Sequence, residues 1–231
     1  MPRIARVTAA QYPHHITQRG NNPADVFFDE DDRGFYLKTL NTLCKETRVR
    51  LWAYCLMTNH VHLLVVPEEG QNLARCIGKT NLIYTQYVNR KYTRSGRLWQ
   101  NRFFSTVIEA EPYLWAVARY IELNPVKAHL VEDPAQYRWS SCSAHVWGRF
   151  DEFPSVHEWL DKISREAYTK FLMQHDPSME EQVRKATSTG RPLGNVDFIK
   201  NLESQLQRRL LPGRAGRPKR PENAKEYGKC P

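Results

Sequence analysis

The sequence predicts an α+β fold, a mostly antiparallel sheet with helices packed on one face. Three observations lead there. Two apolar runs, Val49 to Met57 and His60 to Val66, are separated only by Thr58 and Asn59, the spacing of an antiparallel hairpin. Segments with helical spacing stand on both sides of that hairpin in the chain. The resulting order, strand, helix, two strands, helix, strand, helix, suits strands paired under a helical layer.

Taken in order, Pro13 to Arg19 reads as the first strand and stops at the turn Gly20-Asn21-Asn22-Pro23. Asp29 to Asp32 place negative charge at the start of a helix reaching Thr47, with Phe35, Leu37, Leu40 and Leu43 as its apolar residues. The hairpin follows. After Pro67 to Gly70, Leu73, Ile77, Ile83, Tyr84, Tyr87 and Val88 predict a helix from Asn72 to Tyr92. Leu98 to Ile108 is expected to be a further strand. Glu111 to Leu123 is expected to be a helix, ended by the approach of Pro125.

Composition changes after about Gly148, which divides the chain into a first domain over 1–148, a helical extension over 149–186 and a last part over 187–231. In that last part Thr187 to Gly194 reads as a Ser, Thr, Gly and Pro rich linker, and Val196 to Leu210 as a short amphipathic helix. Leu211 to Pro231 has too few apolar residues for a core and is expected to be disordered when free.

Charge is uneven. The 231 residues carry a net +9, and from Arg184 to Pro231 twelve Lys/Arg face four Asp/Glu. A second basic zone, Gly70 to Ile108, holds Arg75, Lys79, Arg90, Lys91, Arg94, Arg97 and Arg102 without one acidic residue. Clustered cations release counterions on meeting a phosphate backbone, so nucleic acid is the first partner to consider. The five cysteines are scattered and never form a Cys-x-x-Cys pair, which speaks against a disulfide framework or a zinc ribbon. With no signal-peptide stretch and no apolar run near the roughly 18 residues of a membrane span, the expectation is a cytoplasmic, nucleoid-associated protein with no membrane partner.

Residues two apart on a strand share a face, so His60 and His62 project together at the start of an apolar strand and can hold one metal ion. Tyr120 and Asn124, four apart on a helix, share a face one turn from each other. A phenol with a pKa near 10 needs a neighbouring cation or base to act as a nucleophile, and a phosphodiester target needs its charge neutralised. A metal ion supplies the second need and helps with the first. Tyr113, seven residues before Tyr120, is the rival nucleophile, but position 117 is Val where an amide would be wanted.

Three segments together carry a family resemblance: Met57-Thr58-Asn59-His60-Val61-His62-Leu63-Leu64, then Leu98-Trp99-Gln100-Asn101-Arg102-Phe103, then Arg119-Tyr120-Ile121-Glu122-Leu123-Asn124-Pro125-Val126-Lys127-Ala128. In this order they resemble the single-tyrosine transposases of the HUH superfamily, most closely the REP-associated branch of the IS200-like transposases, over about residues 10–148. The resemblance implies a ferredoxin-like catalytic domain over 1–148 in which His60, His62 and Asn124 bind Mg²⁺ or Mn²⁺. It implies that Tyr120 cuts single-stranded or hairpin DNA at repetitive extragenic palindromes, leaving a 5′-phosphotyrosine link and a 3′-hydroxyl that later rejoins strands. The stored bond explains why no phosphate-binding Gly-x-x-x-x-Gly-Lys loop is present. Donor chemistry alone leaves the metal open, because imidazole suits Mn²⁺, Co²⁺, Ni²⁺ or Zn²⁺ at least as well as Mg²⁺.

Arg75, Lys79, Arg90, Lys91, Arg97 and Arg102 are candidate phosphate contacts, and Tyr87, Trp99 and Phe103 candidate base-stacking residues. Gly216-Arg217-Pro218-Lys219 resembles the core of an AT-hook, with Ala215 where the full motif has arginine, so Arg217 and Lys219 are candidate DNA contacts too. A metal-dependent phosphodiesterase using water and a non-catalytic DNA-binding regulator are the competing functions. Monomer and homodimer both remain open.

Overall fold

In a computed structural model the described residues are 6–151, 153–174 and 176–211. Four strands, β1 (His14–Arg19), β2 (Val49–Met57), β3 (His60–Pro67) and β4 (Phe104–Val107), form one sheet in the order β2-β3-β1-β4. Every pairing is antiparallel. The helices are α1 (Glu30–Thr47), α2 (Gly70–Lys91), α3 (Ala110–Glu122), α4 (Asn124–Lys127), α5 (Cys142–Trp147), α6 (Lys162–Leu172), α7 (Pro177–Thr189) and α8 (Val196–Leu206). The expected α+β class and antiparallel sheet are observed.

Local chemistry explains the boundaries. Asp29 caps α1 through the Asp32 backbone N–H at 2.9 Å, and the Asp32 carboxylate reaches back to the Asp29 N–H at 3.3 Å, a reciprocal capping box. Thr58 and Asn59 make the tight turn between β2 and β3, and Met57 pairs with His60 across it. On β3 the side chains alternate: Val61, Leu63 and Val65 pack with Leu37, Leu40, Ile77 and Tyr84 of α1 and α2. His62 and Leu64 take the other face, where Leu64 joins Val117 and Ile121 of α3 and Val183 of α7. Each fully buried Leu or Val contributes roughly 1.5–3 kcal/mol relative to exposure.

Three expectations are corrected. Helices do pack on one face as α1 and α2, but α3 and α7 cover the second face as well, because both faces of β3 are apolar. The strand expected over Leu98 to Ile108 is regular only from Phe104 to Val107. Asn101, at φ 57°, breaks the extended backbone, and the preceding residues meet the end of β1 through isolated bonds such as Gln100 N–H to Arg19 C=O at 2.8 Å. The stretch 187–194 is no linker. Thr187 and Thr189 return their hydroxyls to helical carbonyls within α7, Gly190 at φ 69° ends it, and Leu193 runs beside the end of β4 with its N–H on Val107 C=O at 2.8 Å. The 149–186 extension accordingly shares one core with the sheet: Tyr168, Leu172, Val183 and Ala186 cluster with Ala53 and Leu64. The short helix appears as α8, packed through Leu202 on Val7, Ala9 and Val107. The tail, with Arg217 and Lys219, lies outside the described residues.

His14 is buried in this frame. Its Nδ1–H donates to Tyr12 C=O at 2.7 Å, and its Nε2 accepts from the Ala9 N–H at 3.1 Å. Burial lowers its pKa from 6.5 to about 4. Between those values the unfolded chain binds the proton and the native state does not, so stability is lost as pH falls through that window. Thermal melts are expected to show a falling Tm from pH 6.5 toward 4, with a shallower fall in His14→Gln, which keeps neutral donor and acceptor groups. An equally steep fall in that variant would contradict the assignment.

Candidate active site

His60 and His62 open β3 and line a cleft of about 480 Å³ together with Arg19, Gln100, Phe104 and Thr187. Both imidazoles are held neutral. Burial, aided by the Arg19 charge, lowers the His60 pKa to about 4, and burial pushes His62 well below its ordinary value. Asn59 Oδ1 accepts the His60 Nδ1–H at 2.6 Å, while the Asn59 amide N–H donates to Pro23 C=O at 3.2 Å. Nε2 of His60 is thereby the nitrogen that carries the free lone pair.

Helix α3 brings Tyr120 onto the same face. Its ring stands edge-on to His62, centroids 5.8 Å apart, and at the same separation from His15 of β1. Burial pushes the Tyr120 phenol above its usual pKa, and Arg184 of α7 works against that shift. The Lys127 ammonium sits 5.0 Å from the Tyr120 ring centroid and pairs with Glu180 at 2.7 Å. Tyr113 packs at the edge of the same apolar cluster, and of the two tyrosines it is Tyr120 whose ring meets the histidines.

Asn124 follows the end of α3. Its Nδ2 donates to the carbonyls of Tyr120 at 2.7 Å and Ile121 at 3.2 Å, which spends the amide nitrogen and leaves Oδ1 as the atom with which this side chain could accept or ligate. Among the described residues no group of three or more His, Cys, Asp or Glu is placed to hold a metal. A cation at the histidine pair would therefore take an amide, a hydroxyl or substrate oxygen as its third donor. Two neutral imidazoles plus one amide oxygen fit a divalent ion that also binds phosphate.

Two other residues of the third motif face away from the cleft and fasten α3. Arg119 is buried, stacks on Phe171 at 4.4 Å and donates to the carbonyls of Phe171 and Gln174. Glu122 is fully buried and accepts from His145 Nδ1 at 2.5 Å, Ser141 Oγ at 2.7 Å and Tyr168 OH at 2.8 Å. Through these bonds α5 and α6 fix the helix that carries Tyr120.

Comparison with known proteins decides the family. The family model described as "Transposase IS200 like" matches residues 8–124, half of the chain, and that span takes in β1, His60, His62, Tyr120 and Asn124. The chain belongs to the IS200-like transposase family. A Haemophilus influenzae protein named as a candidate REP-associated tyrosine transposase is 30% identical to this family member over 108 residues, covering 42% of this chain. The match spans 61% of that relative's length. The fold is shared with a solved REP-associated tyrosine transposase bound to a REP hairpin, at a TM-score of 0.54 and 18% identity, covering 65% of this chain and 89% of the other.

The expected DNA contacts of this IS200-like chain distribute unevenly. Arg75, Lys79 and Arg90 are exposed on α2, which packs on the sheet face opposite His62, so the structure does not bring them to the cleft. Lys91 is committed to Asp29 at 2.7 Å and Asp32 at 2.8 Å. Tyr87 stacks on Phe35 with centroids 3.9 Å apart, and Trp99 is 8% exposed with its indole N–H on Asn81 C=O. Phe103 is buried under the Arg6 guanidinium. These aromatics are withdrawn as stacking platforms because each is spent on the fold. Arg97 and Arg102 remain exposed on the segment between α2 and β4 that borders the cleft through Gln100. The sequence reading missed Arg19, whose register partner is His60, and Lys127, His15 and Thr187.

Proposed function

We infer that this protein cleaves and rejoins single-stranded DNA at hairpins of the repetitive extragenic palindrome type, through a covalent 5′-phosphotyrosine link to Tyr120. The observation that carries this reading is the contact of the Tyr120 ring with His62, which together with His60 lines the cleft. The similarity to a REP-hairpin-bound transposase supports the choice of DNA.

In this reading His60, His62 and Asn124 hold Mg²⁺ or Mn²⁺. The ion, when bound, neutralises the scissile phosphate and polarises its oxygens. Tyr120 Oη attacks phosphorus; the new O–P bond forms as the bond to the 3′ oxygen breaks, and the phenolic proton is balanced by the proton taken up by the departing 3′-hydroxyl. Arg184 lies where it favours the phenolate as it develops, against Glu180 and Glu181, and Lys127, paired with Glu180, stands over the ring. Arg19 offers a phosphate contact at the cleft wall. Rejoining is the reverse attack by a 3′-hydroxyl, so no nucleotide triphosphate is consumed.

Strand exchange between two differently labelled hairpin oligonucleotides, with Mg²⁺ or Mn²⁺ and no ATP, tests the reading. The expected result is label joined to the other strand, abolished by chelation and in the His60→Ala, His62→Ala double variant. Cut ends that never rejoin would indicate a hydrolytic phosphodiesterase instead. Hairpin binding that survives chelation with no cutting would indicate a regulator.

A further inference from the structure

A chain of polar contacts runs behind His62, from α7 across β1 to β3. Thr187 Oγ1 lies 2.8 Å from the Val183 carbonyl and 3.0 Å from His15 Nδ1. A carbonyl oxygen only accepts, so the single hydroxyl proton of Thr187 goes to Val183, and Oγ1 is left to accept from His15 Nδ1–H. His15 is 1% exposed and, among the described residues, has no carboxylate bonded to it, so its ring is neutral and holds that one proton. Its Nε2 is then a bare lone pair, 3.0 Å from His62 Nδ1. His62 must donate across that contact. Its proton therefore sits on Nδ1 and its free lone pair on Nε2, the same tautomer that Asn59 imposes on His60.

We propose that Thr187 and His15 are positioning residues that set the tautomer of His62, so that α7 completes the histidine pair from outside the span of the family match. The motif residues within 8–124 are then insufficient by themselves: the extension supplies the terminal acceptor that fixes which His62 nitrogen is free. Metal-ligating histidines are ordinarily oriented by a hydrogen bond at their second nitrogen, and loss of such a partner typically weakens metal binding by 10–100-fold. Here that partner is itself a histidine, held by a threonine one strand and one helix away. The two rings lie side by side and nearly coplanar, centroids 5.2 Å apart and 19° from parallel, the arrangement that an in-plane N–H···N bond between β1 and β3 requires. The consequence for metal rests on the strand-transfer reading, whereas the tautomer itself does not.

Long-range ¹H–¹⁵N correlation spectra of the imidazoles in the metal-free, full-length protein test this directly. Wild type is expected to show His62 protonated at Nδ1 and bare at Nε2. Thr187→Val, nearly equal in volume, removes the acceptor and is expected to give His62 a mixture of tautomers, and Thr187→Ser to restore the single form. With Mn²⁺ alone as the probe, Thr187→Val is expected to bind roughly 10-fold more weakly and Thr187→Ser as wild type. Protonation of wild-type His62 at Nε2, or an unchanged tautomer in Thr187→Val, would overturn the proposal. Failure of the strand-transfer reading would look different, as absence of strand exchange with the His62 tautomer intact.

Discussion

Replacing Tyr120 with Phe is expected to eliminate both DNA cleavage and the protein–DNA adduct while leaving hairpin binding and the fold unchanged. Phenylalanine preserves the ring that packs edge-on to His15 and His62 at 5.8 Å, and removes only the oxygen that would attack phosphorus. Tyr113, two turns earlier, packs at the edge of the same apolar cluster, but of the two tyrosines it is Tyr120 whose ring meets the histidines, so Tyr113 is not expected to take its place. Removing a nucleophile that forms a covalent intermediate is expected to cost at least about 10³-fold in rate. Tyr113→Phe is the matched control and should cut at the wild-type rate. A Tyr120→Phe protein that cuts normally and leaves free 5′ ends would transfer the role of nucleophile to water.

The second large effect is on stability. Glu122→Ala is expected to cost about 3–5 kcal/mol, the range for breaking a buried charged contact by removing one partner. Three donors, His145, Ser141 and Tyr168, converge on one carboxylate in a fully buried position; without it His145 Nδ1 and Tyr168 OH lose their acceptor and Ser141 keeps only the longer contact to the Tyr54 carbonyl at 3.4 Å. Glu122→Gln keeps the shape and some of the bonds and should lose less. Urea unfolding with an unchanged m-value would read the difference. Because the same carboxylate ties α3 to α5 and α6, the destabilised variant should also lose activity without touching the cleft. A loss below about 1 kcal/mol in Glu122→Ala would mean that these bonds are replaceable by water.

Much of this architecture is legible in sequence because it rests on local rules. The hairpin with its two-residue turn, the capping box opening α1 and the shared face of His60 and His62 each depend on neighbours a few residues away. What escaped depends on distant packing. Nothing local shows that β1 lies between β3 and β4, and without that pairing His15 is an ordinary strand residue rather than the partner of His62. Thr187 sits in a stretch whose Ser, Thr and Gly content reads as a linker, and only the apolar Val183 and Ala186 on one face disclose a helix. Basic residues on α2 look like a DNA surface in one dimension, yet the sheet separates them from the cleft. Likewise Trp99 has the chemistry of a stacking residue and the burial of a core one, and half-buried Tyr87 has its face taken by Phe35.

Strand transfer rests on Tyr120 as the residue that attacks DNA, and mapping the adduct tests that most directly. The full-length protein would be incubated with Mn²⁺ and a hairpin oligonucleotide, trapped, digested and analysed by peptide mass spectrometry. A 5′-phosphorylated nucleotide attached to the peptide at Tyr120 is the predicted result. Attachment at Tyr113, or efficient cleavage with no peptide-linked nucleotide at all, would contradict it.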